Sequence, residues 1–184
     1  MSLNWVMLDE RKQPVPLPSE RIITTVPDAQ VTIHIPQSNT TLTAPGSIWL
    51  TSDRFIFVAS PQATGTSLLS FVSQAISPND SEPTMKLESL SLPWLSVLST
   101  SFVQPYFAAN YLSMDIRPAP DGGLSLGTTA QVRLIERGMF EFIKSVEGVR
   151  NSAIERAREA RMGEPLPVYP ATATTDDLPP GYSA

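Results

Sequence analysis

Proline constrains this chain more than any other residue, because each proline fixes a backbone torsion and removes a hydrogen-bond donor. Of the 184 residues, 18 are proline, and they are unevenly distributed. Three lie within residues 14–18 and five within residues 163–184, whereas the stretch 121–164 has none. We therefore expect an extended N-terminal arm over residues 1–20, a folded domain over residues 21–162 and a disordered tail after it.

Short segments in the first two thirds of the chain have the patterns of β-strands. Residues 31–35 alternate aliphatic and polar side chains, which predicts a strand with His34 on its polar face. Apolar runs at 48–51 and 54–58, joined by two polar residues, predict a hairpin. Further strands are predicted at 85–92, 111–116 and 131–135. The spacing is typical of an antiparallel barrel or sandwich of about six or seven strands.

The periodicity changes after Gly138. From Met139 to Ala157, apolar side chains recur every three or four residues, with Glu, Arg and Lys on the opposite side. Gly163 and Pro165 end this pattern. The sequence therefore predicts a mainly β fold with one long C-terminal helix, whose apolar stripe closes an open end of the sheet.

An insertion interrupts the strand pattern at about residues 61–84. Turn-forming residues stand at both of its ends, and apolar residues of helical spacing lie between them. We predict a short helix inside a long loop. Two interpretations stay open: this helix packs back on the domain, or it contacts a membrane or a partner.

Composition excludes several classes of function. The 13 Lys and Arg against 18 Asp and Glu give a net charge of −5, which argues against direct nucleic-acid binding. Without cysteine and with His34 as the single histidine, the chain lacks a thiol nucleophile and the usual zinc ligand sets. The sequence contains no P-loop. We predict no catalytic, cofactor-binding or metal-binding residue and a cytoplasmic or nuclear protein.

Two blocks of sequence resemble a known family. Residues 46–57 are similar to the Gly-x-x-x-Leu-Thr-x-x-Arg-x-Ile-Phe hairpin of GRAM domains, and residues 104–111 to the Gln-Pro-x-Phe-x-Ala-Asn-Tyr block of the WW-domain-binding protein 2 family. The matching positions, to which we assign structural roles, are Gly46, Leu50, Thr51, Arg54, Gln104, Pro105, Phe107, Asn110 and Tyr111. The resemblance implies a PH-like split barrel of about seven antiparallel strands, closed at one end by a C-terminal helix. The insertion and a short tail depart from the family pattern.

The tail carries two proline-tyrosine motifs. A WW domain binds Pro-Pro-x-Tyr because the prolines favour the polyproline II conformation and stack in an aromatic groove, while the tyrosine enters a neighbouring pocket. The predicted WW-binding residues are Pro179, Pro180 and Tyr182, with Leu166, Pro167 and Tyr169 in a weaker Leu-Pro-x-Tyr motif. We therefore predict an adaptor for WW-domain proteins, including ubiquitin ligases that contain WW domains.

Two other functions are alternatives. Phosphoinositide binding occurs in many PH-like folds and needs clustered Lys and Arg near the first hairpin loop, but residues 36–47 contain neither. Arg54 is the nearest cation, and it could instead pair with a backbone or acidic group within the fold. The family resemblance also implies a nuclear coactivator role, which the net charge would confine to protein partners. The sequence does not indicate an oligomeric state.

Overall fold

Antiparallel strands and one long helix make up the residues that the computed structural model describes, which are 2–60, 86–119, 122, 124–135 and 138–162. The strands are β1 (Ser2–Leu3), β2 (Ile22–Ile35), β3 (Thr40–Thr51), β4 (Arg54–Ala59), β5 (Ser89–Pro93), β6 (Val97–Val103), β7 (Tyr111–Ile116) and β8 (Thr129–Leu134). A 3₁₀ turn (Trp94–Ser96) joins β5 to β6, and helix α1 (Met139–Met162) ends the described part. This confirms the predicted fold class. The predicted helix of the insertion and the predicted tail lie outside the described residues.

The strands form one curled antiparallel sheet in the order β1-β5-β4-β3-β2-β8-β7-β6. The long strand β2 belongs to both halves of this sheet, and its register with β3 shifts between Val26 and Ala29. Before the shift β2 pairs only with β3, and after it β2 pairs with both β3 and β8. The irregularity therefore bends the sheet into a half-barrel, since bulges locally increase strand twist.

Gly46 lies at this bend, where β3 meets the end of β4. A Cβ atom at this position would lie 2.2 Å from the carbonyl oxygen of Val58 and 2.8 Å from the Cα atom of Ala59. Both of these atoms belong to the backbone, so neither can rotate away. The close approach of the two strands therefore requires glycine.

Helix α1 closes the open side of the half-barrel, as the sequence predicts. Its buried side chains are Phe142, Ile143, Val146, Val149 and Ala153. They face a core that includes the completely buried Trp94. The Trp94 ring packs edge-on against Phe55, with 6.4 Å between the ring centroids. Its Nε1 donates a 2.9 Å hydrogen bond to the carbonyl oxygen of Thr51. The 3₁₀ turn that carries Trp94 contacts α1. The indole thus fills the corner between the two halves of the sheet and the helix.

The predicted N-terminal arm packs against the outer face of the sheet. Strand β4 is buried on both sides: Phe55 and Phe57 belong to the main core, whereas Ile56 and Val58 form a second cluster. Val6 packs on this second cluster. We call residues 4–20 the N-terminal strap. A strand with two apolar faces needs cover on both, and the strap supplies it on the outer face.

Candidate functional site

The β3–β4 hairpin meets the N-terminal strap at one buried ion pair. Arg54, the first residue of β4, places Nε 2.8 Å from Oε1 of Glu20 and one terminal nitrogen 2.9 Å from Oε2. This two-point geometry is the strong arrangement for a guanidinium and a carboxylate. The Glu20 side chain is fully buried, and that of Arg54 is 14% exposed. We call this pair the strap lock.

Glu20 and Arg54 also make hydrogen bonds to other residues around the strap lock. Thr51 Oγ1 donates to Oε1 of Glu20 at 2.5 Å, and the backbone N–H of Leu17 donates to Oε2 at 2.7 Å. Arg54 also donates to the carbonyl oxygen of Val15 at 3.0 Å and to Ser91 Oγ at 3.4 Å. The guanidinium is therefore committed to the strap and the sheet, which leaves it poorly placed to bind a lipid phosphate.

The ionised form of Glu20 is favoured in this environment. Burial of the carboxyl group by itself raises its pKa. The hydrogen bonds from Arg54, the Leu17 backbone and Thr51, together with the positive charge of Arg54, outweigh burial and hold the pKa of Glu20 below its usual range. Glu20 is consequently a charged anchor at neutral pH.

The second motif block forms an exposed loop between β6 and β7. Within residues 104–110, Tyr106 and Phe107 are fully exposed, so they add nothing to the core. Gln104 and Asn110 are also exposed, and Pro105 is half-buried. Tyr111 follows as the first residue of β7, with the Arg133 guanidinium 5.3 Å from its ring centroid. Adjacent solvent-facing aromatic residues suit an interaction surface, and a family-motif match alone does not indicate their exposure.

Two surface cavities of the described residues contain no cation that would hold an anionic headgroup. A wide groove of about 870 Å³ near the β2–β3 turn is lined by Pro36, Gln37, Pro118, Ala119, Leu124, Ser125 and Leu126. A smaller cavity of about 350 Å³ lies beside the start of α1 and is lined in part by two acidic residues, Asp28 and Glu141. Neither lining set includes Lys or Arg, so phosphoinositide binding finds no support at these two sites.

The single histidine and the acidic side chains are the other polar groups of interest among the described residues. His34 lies on the polar face of β2, as predicted, with Nδ1 3.2 Å from Thr41 Oγ1. Within the described ranges, no three His, Cys, Asp or Glu side chains are grouped as metal ligands. The helix that the structure describes is not apolar enough to cross a membrane.

The predicted WW-binding residues all lie outside the described residues, which end with helix α1. Arg156 of α1 reaches the β3–β4 turn, where it pairs with Asp53 at 3.0 Å. Met162 ends the helix six residues later, about 9 Å further along its axis, and is 79% exposed. Helix α1 therefore ends at the domain surface.

Comparisons with known proteins identify the fold. No protein-family model matches the chain. The N-terminal PH domain of Vps36 aligns with a TM-score of 0.55 and 14% identity, over 84% of this chain and 96% of that domain. The domain is PH-like. A chain of the 8S snRNP assembly intermediate aligns at a TM-score of only 0.46 and 9% identity, over 80% of this chain and 91% of that one, which is too weak to support an argument.

One curated protein is related in sequence. A UPF0664 stress-induced protein of Schizosaccharomyces pombe is 28% identical over 92 residues. The match covers 49% of this chain and 53% of the relative, so the PH-like chain spans about half the length of that protein.

Proposed function

We propose that this chain is a non-catalytic adaptor of the WW-domain-binding protein 2 type, in which a PH-like domain presents a tail that binds WW domains. A PH-like fold suggests a protein-interaction or lipid-binding role. The observation that carries the proposal is the sequence Pro179-Pro180-Gly181-Tyr182, which has the residue types and spacing that a WW groove recognises. Pro167 and Tyr169 supply the auxiliary motif.

The position of the motif fits this role. From Met162 to Pro179 the chain has 17 residues, and a flexible linker of that length has an end-to-end distance of about 23 Å. We expect a span of that length to give a WW domain of a ubiquitin ligase room to bind the motif beside the PH-like domain. The same tail would serve a cytoplasmic adaptor and a nuclear coactivator, and partner identity would decide between them.

Lipid binding is the less favoured alternative. Arg54 is held in the strap lock, and the segment 36–47 carries no Lys or Arg. The region near the first hairpin loop therefore lacks the clustered cations that a phosphoinositide headgroup needs.

Binding of purified WW domains to variants of the full chain tests the proposal. We expect Tyr182→Ala to lose most of the captured WW domain and Tyr169→Ala/Tyr182→Ala to lose the rest. Tyr106→Ala is the matched control, because Tyr106 also follows a proline and is fully exposed, but lies in the domain. Equal capture by all variants would refute the adaptor function.

A further inference from the structure

Strand β6 forms one edge of the sheet, with β7 as its only strand partner among the described residues. Edge strands normally carry a charge, a proline or another feature that prevents pairing with a further strand. The sequence Val-Leu-Ser-Thr-Ser-Phe-Val of β6 contains neither charge nor proline. Leu98 and Phe102 are 48% and 39% exposed, and Ser99 and Ser101 are also exposed. No strand of the described ranges covers this edge, so it can accept another β-strand.

The sequence of β6 reads nearly the same in both directions about Thr100. Antiparallel pairing of two copies about a two-fold axis at Thr100 places Leu98 opposite Phe102 and Ser99 opposite Ser101 of the other copy. Apolar residues then face apolar residues, hydroxyls face hydroxyls, and no like charges meet. A two-fold interface requires this self-complementarity. An edge that pairs with a different protein does not require it.

Backbone directions in β6 permit this register. In β7, the N–H of Ile116 donates to the carbonyl oxygen of Thr128, on the side of β8. Val97 of β6 lies opposite Ile116. The backbone polar groups of Val97 therefore point away from β7, toward the open edge. Alternation past the register shift turns Ser99 and Ser101 toward β7, and Thr100 and Phe102 toward the open edge. Thr100 can therefore exchange two backbone hydrogen bonds with its own copy at the axis.

Arg150 sets one limit of the pairing. Its guanidinium donates to the carbonyl oxygens of Val97 at 3.2 Å and Leu98 at 2.7 Å. These two bonds occupy the edge at Val97, where β6 begins. The carbonyl oxygen of Leu98 keeps a second lone pair that an incoming strand can use. The available edge therefore runs from Leu98 to Phe102, which is centred on Thr100.

We propose that β6 pairs with β6 of a second copy of this chain, in antiparallel register about Thr100, to form a two-fold dimer. The paired segment is short, so the dimer is weak and depends on protein concentration. This inference does not rest on WW-domain binding, and the two can fail separately.

Hydrogen exchange of the full chain at increasing concentration tests the register. We expect the N–H groups of Thr100 and Phe102 to become protected as the dimer forms, in step with the mass measured by analytical ultracentrifugation. The N–H groups of Ser99 and Ser101, which face β7, are the internal control and keep constant protection. A monomer at all concentrations, with Thr100 and Phe102 exchanging freely, would overturn the proposal.

Opposite charges introduced on the two sides of the axis test the same register independently. Leu98→Lys and Phe102→Glu should each weaken the dimer at least about tenfold, because each change occurs twice in a symmetric pair. An equimolar mixture of the two variants should dimerise again, since the introduced lysine of one copy then stands opposite the introduced glutamate of the other. A dimer that persists in both single variants, or a mixture that stays monomeric, would contradict this pairing. Where Phe102→Glu does not fold, Leu98→Lys and the exchange measurement still decide.

Discussion

Glu20 and Arg54 form a buried ion pair of 2.8 Å across 34 residues of sequence, and this pair fastens the N-terminal strap to the first residue of β4. The strap in turn brings Val6 onto the outer cluster of Trp49, Ile56 and Val58. The part of the chain before the PH-like strands therefore contributes to the stability of the domain.

Removal of Arg54 should be strongly destabilising. Arg54→Ala leaves the Glu20 carboxylate buried without its counter-charge, which costs about 3–5 kcal/mol in comparable pairs. Urea denaturation followed by circular dichroism gives the free energy of unfolding. Arg156→Ala is the control, because its pair with Asp53 is about half exposed and should contribute less than about 1 kcal/mol. Equal losses of unfolding free energy in the two variants would show that the strap lock stabilises the domain no more than an exposed ion pair does.

Acid should weaken the strap lock. Because the pKa of Glu20 is lowered in the folded protein, the unfolded chain takes up the proton first as pH falls. The stabilisation is complete well above the ordinary glutamate pKa of about 4.3 and is lost as pH drops through the lower folded value. Denaturation midpoints measured across this range should fall more steeply for the wild type than for Glu20→Gln. Parallel pH profiles would contradict the assignment.

Two glycines should respond oppositely to alanine. Gly46→Ala forces a Cβ atom against the Val58 carbonyl at the sheet bend, and we expect a loss of several kcal/mol in thermal or urea unfolding, as for other overpacked sites. Gly148 lies within α1 with no atom near its added Cβ. Gly148→Ala should instead stabilise the protein by about 0.5–1 kcal/mol, owing to higher helix propensity. A harmless Gly46→Ala would show that the bend tolerates a side chain.

The sequence predicts the elements that have a clear period and misses those set by distant contacts. Helix α1 and the β3–β4 hairpin carry strong local patterns, and both are confirmed. Strand β6 is not predicted, because its Ser-Thr-Ser centre obscures the alternation of apolar residues. The strap lock depends on a pairing across 34 residues, which no local pattern records. The exposure of Tyr106 and Phe107 likewise follows from where the β6–β7 loop emerges.

The two tail motifs should compete for one WW domain. Tyr169 and Pro179 are ten residues apart, and a flexible segment of this length has an end-to-end distance of about 17 Å, too short to seat two WW domains side by side. Calorimetric titration with a single WW domain should therefore give a stoichiometry near one per tail. A stoichiometry of two would refute competition while leaving WW binding intact.

The most direct test of the adaptor function is the affinity of the full chain for a purified WW domain, measured by calorimetry with wild type, Tyr182→Ala and Tyr106→Ala. The tyrosine ring fills one of the two pockets that a WW domain offers to this motif, so its removal should abolish most of the binding. We predict saturable binding by the wild type and Tyr106→Ala, with a large loss in Tyr182→Ala. Undiminished binding by Tyr182→Ala, or no binding by the wild type to WW domains that accept Pro-Pro-x-Tyr peptides, would contradict the proposed function.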